Sequence, residues 1–371
     1  MIPLSRPSIG AREEQLVLDA LRSGRLALGP RMASFEAAFA AASGTSHVSA
    51  VSSGTAALHL AIRAAGIEPG DDVVTSPFSF VASANCLLYE GARPVFCDID
   101  PRTLNITAET AGEALTERTT GILPVHIFGY PCDMPRIELL SRDCGLWIVE
   151  DACEALGAVH ADGTPVGARG NLSVFGFYPN KQITTGEGGA VASPNAAIKE
   201  RIDSERNQGR APDMGWLDHD RLGYNYRLDD LSCALGMAQL ERLDELLEAR
   251  ARVAGLYAEA LAGIEELDLP CPDEGGDRRG WFVYVVQLPR DVDRDTAVVA
   301  MRERGVDTKP YLPAIHLMSF YRERFGYNEG DFPVCEDVAA RSLALPFYPE
   351  LTDGEVEQVV ESLGAVIGQR V

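Results

Sequence analysis

"HVSAVSS" (His47–Ser53), followed at once by "GTAALHLAIRAAG" (Gly54–Gly66), is the stretch on which the fold turns. A short, largely apolar segment passes through Ser52-Ser53-Gly54-Thr55 into an Ala/Leu-rich run that ends on glycine. The first part reads as a strand and the second as a helix with a hydroxyl at its N-cap. The alternation continues from about residue 46 to 195: "DDVVTSPFSF" precedes "VASANCLLYEGA", and "RPVFCDID", "TGILPVHIFG" and "LWIVEDA" are further apolar strands. Such a pattern predicts an α/β fold, a mostly parallel sheet covered by helices, with ligands gathering beyond the carboxyl ends of the strands.

Near residue 228 the texture changes. "LDDLSCALGMAQLERLDELLEARARVAGLYAEALAGI" has apolar residues at helical spacing and no proline, and predicts one or two long helices. "WFVYVVQL" then reads as a strand, "DTAVVAMRERG" as a helix, and a last helix starts near 353. The expected organisation is an N-terminal arm and large domain over 1–245, then a smaller α+β domain over 246–371.

The totals bound the partners. The chain has 371 residues and a formal net charge of −22, from 55 acidic against 33 basic residues. That balance argues against non-specific nucleic-acid binding, which rests on Lys and Arg neutralising phosphates. Eight cysteines occur without C-x-x-C spacing and six histidines without metal spacing, so no metal site is expected. No signal-peptide pattern opens the chain and no apolar run reaches a membrane span, which leads to the expectation of a soluble, cytoplasmic protein.

Chemistry enters with "FYPNKQITTGEGG" (Phe177–Gly189), which places Lys181 between an aromatic run and a glycine-rich turn. It is not a Walker A lysine, because Asn180 precedes it and Gln182 follows, and "GEGGAV" lacks the last glycine of G-x-G-x-x-G. Three other stretches give Lys181 a context. "LWIVEDACEALGA" puts Asp151 at the carboxyl end of a strand, "SSGTAAL" offers free N–H groups and a helix dipole, and Phe80 ends another strand. Each alone has an ordinary structural explanation: a paired lysine, an N-cap, core packing. Together, a lysine, an acid, a phosphate cradle and a flat aromatic are the parts that pyridoxal phosphate requires.

At this point the chain resembles the DegT/DnrJ/EryC1/StrS family of pyridoxal-phosphate-dependent sugar aminotransferases of fold type I. The resemblance runs through "IPLSRPSIG", "SGTAALHLAI", "PVHIFGYPCDM", "VEDACEALGA", "FYPNKQITTGEGGA", "GYNYRLDD" and "LALPFYPELTD". It implies Lys181 as the Schiff-base lysine, Asp151 as partner of the pyridine nitrogen, Gly54 and Thr55 on the phosphate, and Phe80 over the ring. It implies that Asn225 reaches the phosphate of a neighbouring subunit's cofactor, hence a homodimer with shared sites. The implied donor is L-glutamate and the implied acceptor a nucleotide-linked keto sugar, most often a 4-keto-6-deoxyhexose. A 3-keto sugar, a keto-cyclitol and a non-catalytic sensing relative stay open as alternatives. A dehydrating branch carries histidine in place of the lysine, and Lys181 argues against it. Arg227, Lys309, Tyr311 and His316 are candidates to line the substrate side.

Three positions depart from the family pattern. Gly176 stands where many members have a phosphate-binding serine, so that backbone amides, Ser53 or water must substitute. Glu154 stands where many have a glutamine facing the cofactor's phenolic oxygen, and Gln208 replaces a common histidine. A carboxylate beside a phenolate is a like-charge contact, so either Glu154 or the ring oxygen is expected to hold a proton.

Overall fold

A computed structural model describes residues 1–211, 218–264 and 266–368. Its strands are β1 (His47–Val51), β2 (Asp72–Thr75), β3 (Arg93–Phe96), β4 (Thr119–Leu123), β5 (Trp147–Asp151), β6 (Leu172–Gly176), β7 (Gly189–Ser193), β8 (Tyr284–Gln287), β9 (Lys309–Pro310) and β10 (Ser342–Leu345).

β1 leads into the helix Gly54–Ala65 through Ser53, whose Oγ accepts the Ala56 N–H at 3.1 Å. That helix buries every residue from Ala56 to Ile62, and Gly66 ends it in the left-handed conformation at φ 85°. A helix apolar on all sides belongs inside the protein, and this one packs on β5, β6 and β7. Seven strands lie in the order β1-β7-β6-β5-β4-β2-β3. The pairs β2–β3, β2–β4, β4–β5 and β5–β6 are parallel. β7 alone is reversed, antiparallel to both β6 and β1. The mostly parallel sheet is therefore as expected, with one reversed strand. The chain returns from β6 to β7 through residues 177–188 with no crossover helix, a connection open only to antiparallel neighbours.

β8, β10 and β9 form a second, antiparallel sheet. A second core joins Val286 and Leu343 of this sheet to Val253, Tyr257 and Leu261, and to Val359 and Leu363 of the last helix. The long helical stretch resolves into two helices, Asp230–Glu241 and Leu243–Leu261. The break falls at Arg242, whose guanidinium turns back to Glu13 Oε1 and Ser8 O, each at 2.7 Å. The boundary expected at 245 lies inside the second of these helices. Ile2 of the N-terminal arm is buried in the second core, its N–H donating to Gly305 O at 2.8 Å.

Candidate active site

The carboxyl ends of β1, β2, β5 and β6 converge on one cavity of about 500 Å³. Ser53, Gly54 and Thr55 line it from the helix start, Phe80 from beyond β2, Asp151 and Glu154 from beyond β5, and Lys181 and Tyr311 from loops. With Gly176, nine residues singled out in the sequence thus meet in one place.

Asp151, the last residue of β5, is 4% exposed. Its Oδ2 accepts from Ser83 Oγ at 2.7 Å and its Oδ1 from the Cys153 N–H at 3.1 Å. Ser79 Oγ lies 2.8 Å from Ser83 Oγ and extends the chain of hydroxyls. A carboxylate offers about four acceptor positions, so Asp151 keeps capacity for one more donor on the cavity side.

Lys181 sits on the loop between β6 and β7, held locally by its N–H donating to Tyr178 O at 2.9 Å. Its Nζ lies 3.5 Å from Glu154 Oε1 and 3.7 Å from the centroid of the Phe282 ring. The amine rests on the ring face, the geometry of a cation–π contact. Glu154 accepts the Phe128 N–H on its other oxygen at 2.9 Å. Burial pushes the Glu154 carboxyl above the ordinary carboxylate range, against the opposing pull of Lys181 and the Phe128 N–H. That is the direction in which a carboxyl at this position would carry the proton.

The residues fit the phosphate end of the expected cofactor. The helix from Gly54 presents unpaired N–H groups at its start. A Cβ on Gly54 would come within 3.3 Å of Cys153 Sγ and 3.4 Å of Gly176 Cα, so bare backbone is what lets these segments approach. A Cβ on Gly176 would lie 3.4 Å from the same sulfur, an ordinary contact. The missing serine hydroxyl therefore has the Cys153 thiol beside its place. Burial, and then Asp151, push that thiol well above its usual pKa, with Lys181 pulling the other way, so the neutral form is favoured beside the phosphate end. Asn180 Oδ1, on the cavity wall, is buried without a hydrogen-bond partner, a polar atom a ligand could satisfy.

Other expected residues lie elsewhere. Asn225 is exposed on this chain and Arg227 donates to Asn207 Oδ1 at 3.0 Å; neither lines the cavity. Lys309 is exposed on β9, away from the lining. His316 is corrected as a substrate contact of this cavity: it is fully buried, 3.0 Å from Glu336 Oε1, with the Phe332 ring edge-on at 4.8 Å. Its place beside "KPYLP" in sequence did not carry it to the cavity, because of that segment only Tyr311 lines the cavity while Leu312 packs into the core. Residues missed by the sequence reading are Ser83, Phe282 and Asn180. The first two act from separate segments, and nothing local marks them. Asn180, next to the lysine, was open to suspicion.

The family's sequence profile, described as the DegT/DnrJ/EryC1/StrS aminotransferase family, matches residues 7–364. The chain belongs to this family. The spore coat polysaccharide biosynthesis protein SpsC of Bacillus subtilis (strain 168) is 36% identical, over 99% of this chain and 97% of that one. Among solved structures, the aminotransferase TlmJ from Streptoalloteichus hindustanus superposes with a TM-score of 0.92 at 34% identity, covering 99% of both chains. DesV of S. venezuelae, solved in complex with a ketimine intermediate, gives 0.91 at 33% identity, over 97% of this chain and 95% of its own. A DegT/DnrJ/EryC1/StrS member of this kind is a pyridoxal-phosphate-dependent aminotransferase with the α/β fold described above. Among the described residues no helix is long and apolar enough to cross a membrane.

Proposed function

We propose that this aminotransferase moves an amino group from L-glutamate to a nucleotide-linked keto sugar, most often a 4-keto-6-deoxyhexose, with Lys181 as the cofactor-bearing lysine. The observation that carries this reading is the meeting of Lys181 and Asp151 in one cavity with the free N-terminus of the Gly54–Ala65 helix. Pyridoxal phosphate, when bound, supplies an aldehyde that takes up the amino group and a ring that accepts electrons. Ser53, Gly54 and Thr55 would hold its phosphate, and Asp151, fixed by Ser83 and the Cys153 N–H, would hold a proton on its ring nitrogen. Lys181 Nζ would carry the group at rest and, once freed, would act as the base that takes the proton from the donor's α-carbon and the acid that gives it back. Phe282 and Glu154 hold Nζ in place between those duties.

Two further features support a site shared between copies of the chain. Phe80 lines the cavity yet is 61% exposed, so one side of it lacks a cover within the chain. Asn225 is exposed, free to reach a partner's phosphate. The acceptor's diphosphate would then meet Arg227 and Lys309 from the second copy, with Tyr311 from the first.

The test is the visible spectrum of the protein with pyridoxal phosphate, before and after L-glutamate, with Lys181→Ala alongside. A yellow absorption that bleaches with glutamate only in the native chain supports the reading. Glutamate-independent colour, or equal behaviour of the variant, overturns it. A panel of nucleotide-linked 4-keto and 3-keto sugars and keto-cyclitols, offered to the bleached protein, then decides the acceptor by return of colour.

A further inference from the structure

Arg250 projects from the Leu243–Leu261 helix into the protein and is 2% exposed. Among the described residues its guanidinium hydrogen-bonds only main-chain oxygens. Nη2 donates to Lys181 O at 2.7 Å and to Asn180 O at 3.3 Å, and Nη1 donates to Phe282 O at 3.1 Å. Nε is buried without a partner, and the plane lies 5.7 Å from the centroid of the Phe347 ring. Burial pulls the guanidinium down to about 10, with the charge of Glu350 acting in the opposite sense, so it stays a cation at neutral pH. A buried cation with no bonded carboxylate is expensive, and a methionine would fill such a space with less penalty.

The three carbonyls say what this cation holds. One belongs to the lysine of the active site, one to its neighbour, and the third to Phe282, the residue whose ring lies 3.7 Å from Lys181 Nζ. A single planar fork therefore fixes both ends of the lysine's setting: the main chain it grows from and the aromatic face on which its ammonium rests. An ammonium on a flexible stem cannot span the same carbonyls in fixed directions.

We propose that Arg250 is a positioning residue for Lys181, setting the location of Nζ on the Phe282 ring by clamping Lys181 O and Phe282 O together. The proposal rests on the reading of Lys181 as the cofactor-bearing lysine. The titratable groups that share the cavity with Nζ are Asp151, Cys153, Glu154, Tyr178, Glu187 and Tyr311, and none of them bonds to Arg250.

The test uses Arg250→Lys, which keeps the charge, Phe282→Leu, which keeps the carbonyl, and the double variant. Two quantities are followed. In the cofactor-loaded protein it is the pH midpoint of the visible absorption. In the cofactor-free protein it is the acetylation rate of Lys181, read by peptide mass spectrometry across pH 7–10. Loss of the ring face disfavours the ammonium, so each single variant is expected to label Lys181 about 3- to 10-fold faster near neutral pH and to move the absorption midpoint by about 0.5–1 unit. The double variant is expected to exceed the larger single effect by less than about 2-fold, as for two parts of one unit. Native labelling and midpoint in a folded Arg250→Lys, or fully multiplicative effects in the double variant, overturn the proposal. Failure of the functional reading looks different: the native chain itself would then show no Lys181-dependent absorption.

Discussion

Glu150 and Asp151 are neighbours on β5, both carboxylates, both buried, and they have opposite fates. Successive strand residues point to opposite faces, so Asp151 looks into the cavity and Glu150 away from it. Glu150 is satisfied on both oxygens: Oε2 lies 3.2 Å from His126 Nε2, and Oε1 accepts from Asn171 Nδ2 at 2.9 Å. His126 Nδ1 accepts the Cys132 N–H at 3.0 Å, which leaves Nε2–H as the donor to Glu150. Burial pushes Glu150 up, but the His126 hydrogen bond and its companions outweigh it and leave the carboxyl lowered. Asp151 has two donors and a cavity in front of it. Burial does not separate the two carboxylates, nor does the number of donors, one on each oxygen of both; the open cavity beside Asp151 does.

The sharpest way to break this comparison is Asp151→Asn. Loss of the charge is expected to slow bleaching by L-glutamate by about 10²–10³-fold, measured in single-turnover mixing, while the folded fraction is unchanged. If Glu150→Gln had that effect instead, the two roles would be reversed. Ser83→Ala removes one of the two donors to Asp151 and is expected to slow the same step about 10-fold, the value of one hydrogen bond to a charged group. Glu150→Gln is expected to act on stability: it turns an NH₂ group against a donor, for a loss of about 1–3 kcal/mol by urea titration, with the bleaching rate within about 2-fold of native.

The smallest effect belongs to His160, whose ring lies 6.1 Å from that of His126 and whose Nε2 is buried without a partner. Burial, then the neighbouring His126, lowers it from 6.5 to about 4. The folded chain keeps it neutral in a range where the unfolded chain takes up a proton. Stability from this group is therefore full above pH 6.5 and falls as pH drops towards 4. His160→Leu is expected to flatten that part of a stability-against-pH curve. An unchanged slope would mean that the closed side of β5 does not sense acid.

What was legible in the sequence was local. The run from Ser53 to Gly66 declares a strand end, a cap, an apolar helix and its stop within one continuous segment. Lys181 and Asp151 stood out because each stands in a short pattern of its own, and the fold brings both to one cavity. The reversal of β7 was not readable, since an apolar five-residue strand has no direction in its composition. Ser83 and Phe282 were not readable either. Ser83 reaches Asp151 across 68 residues of chain, and Arg250 reaches Lys181 across 69, so only the folded topology makes them neighbours. His316 shows the converse: nearness in sequence to Tyr311 does not bring a side chain to the cavity, and His316 packs instead against Glu336 and Phe332.

The reversed strand has a mechanical consequence. Gly176 and Gly189 are paired across β6 and β7, so the segment bearing Lys181 leaves the sheet and re-enters it at adjacent points. It is a closed loop on a fixed mount, and the height of the amine above that mount is gauged by the loop's own length. Adding or removing one residue there would alter the gauge by up to about 3.5 Å, against the hold of Arg250 on Lys181 O and Asn180 O and of Gln182 on Glu154 O and Gly280 O. Phe80 stands on a different connection, the one that follows β2, so a change of length there leaves the lysine's mount as it is.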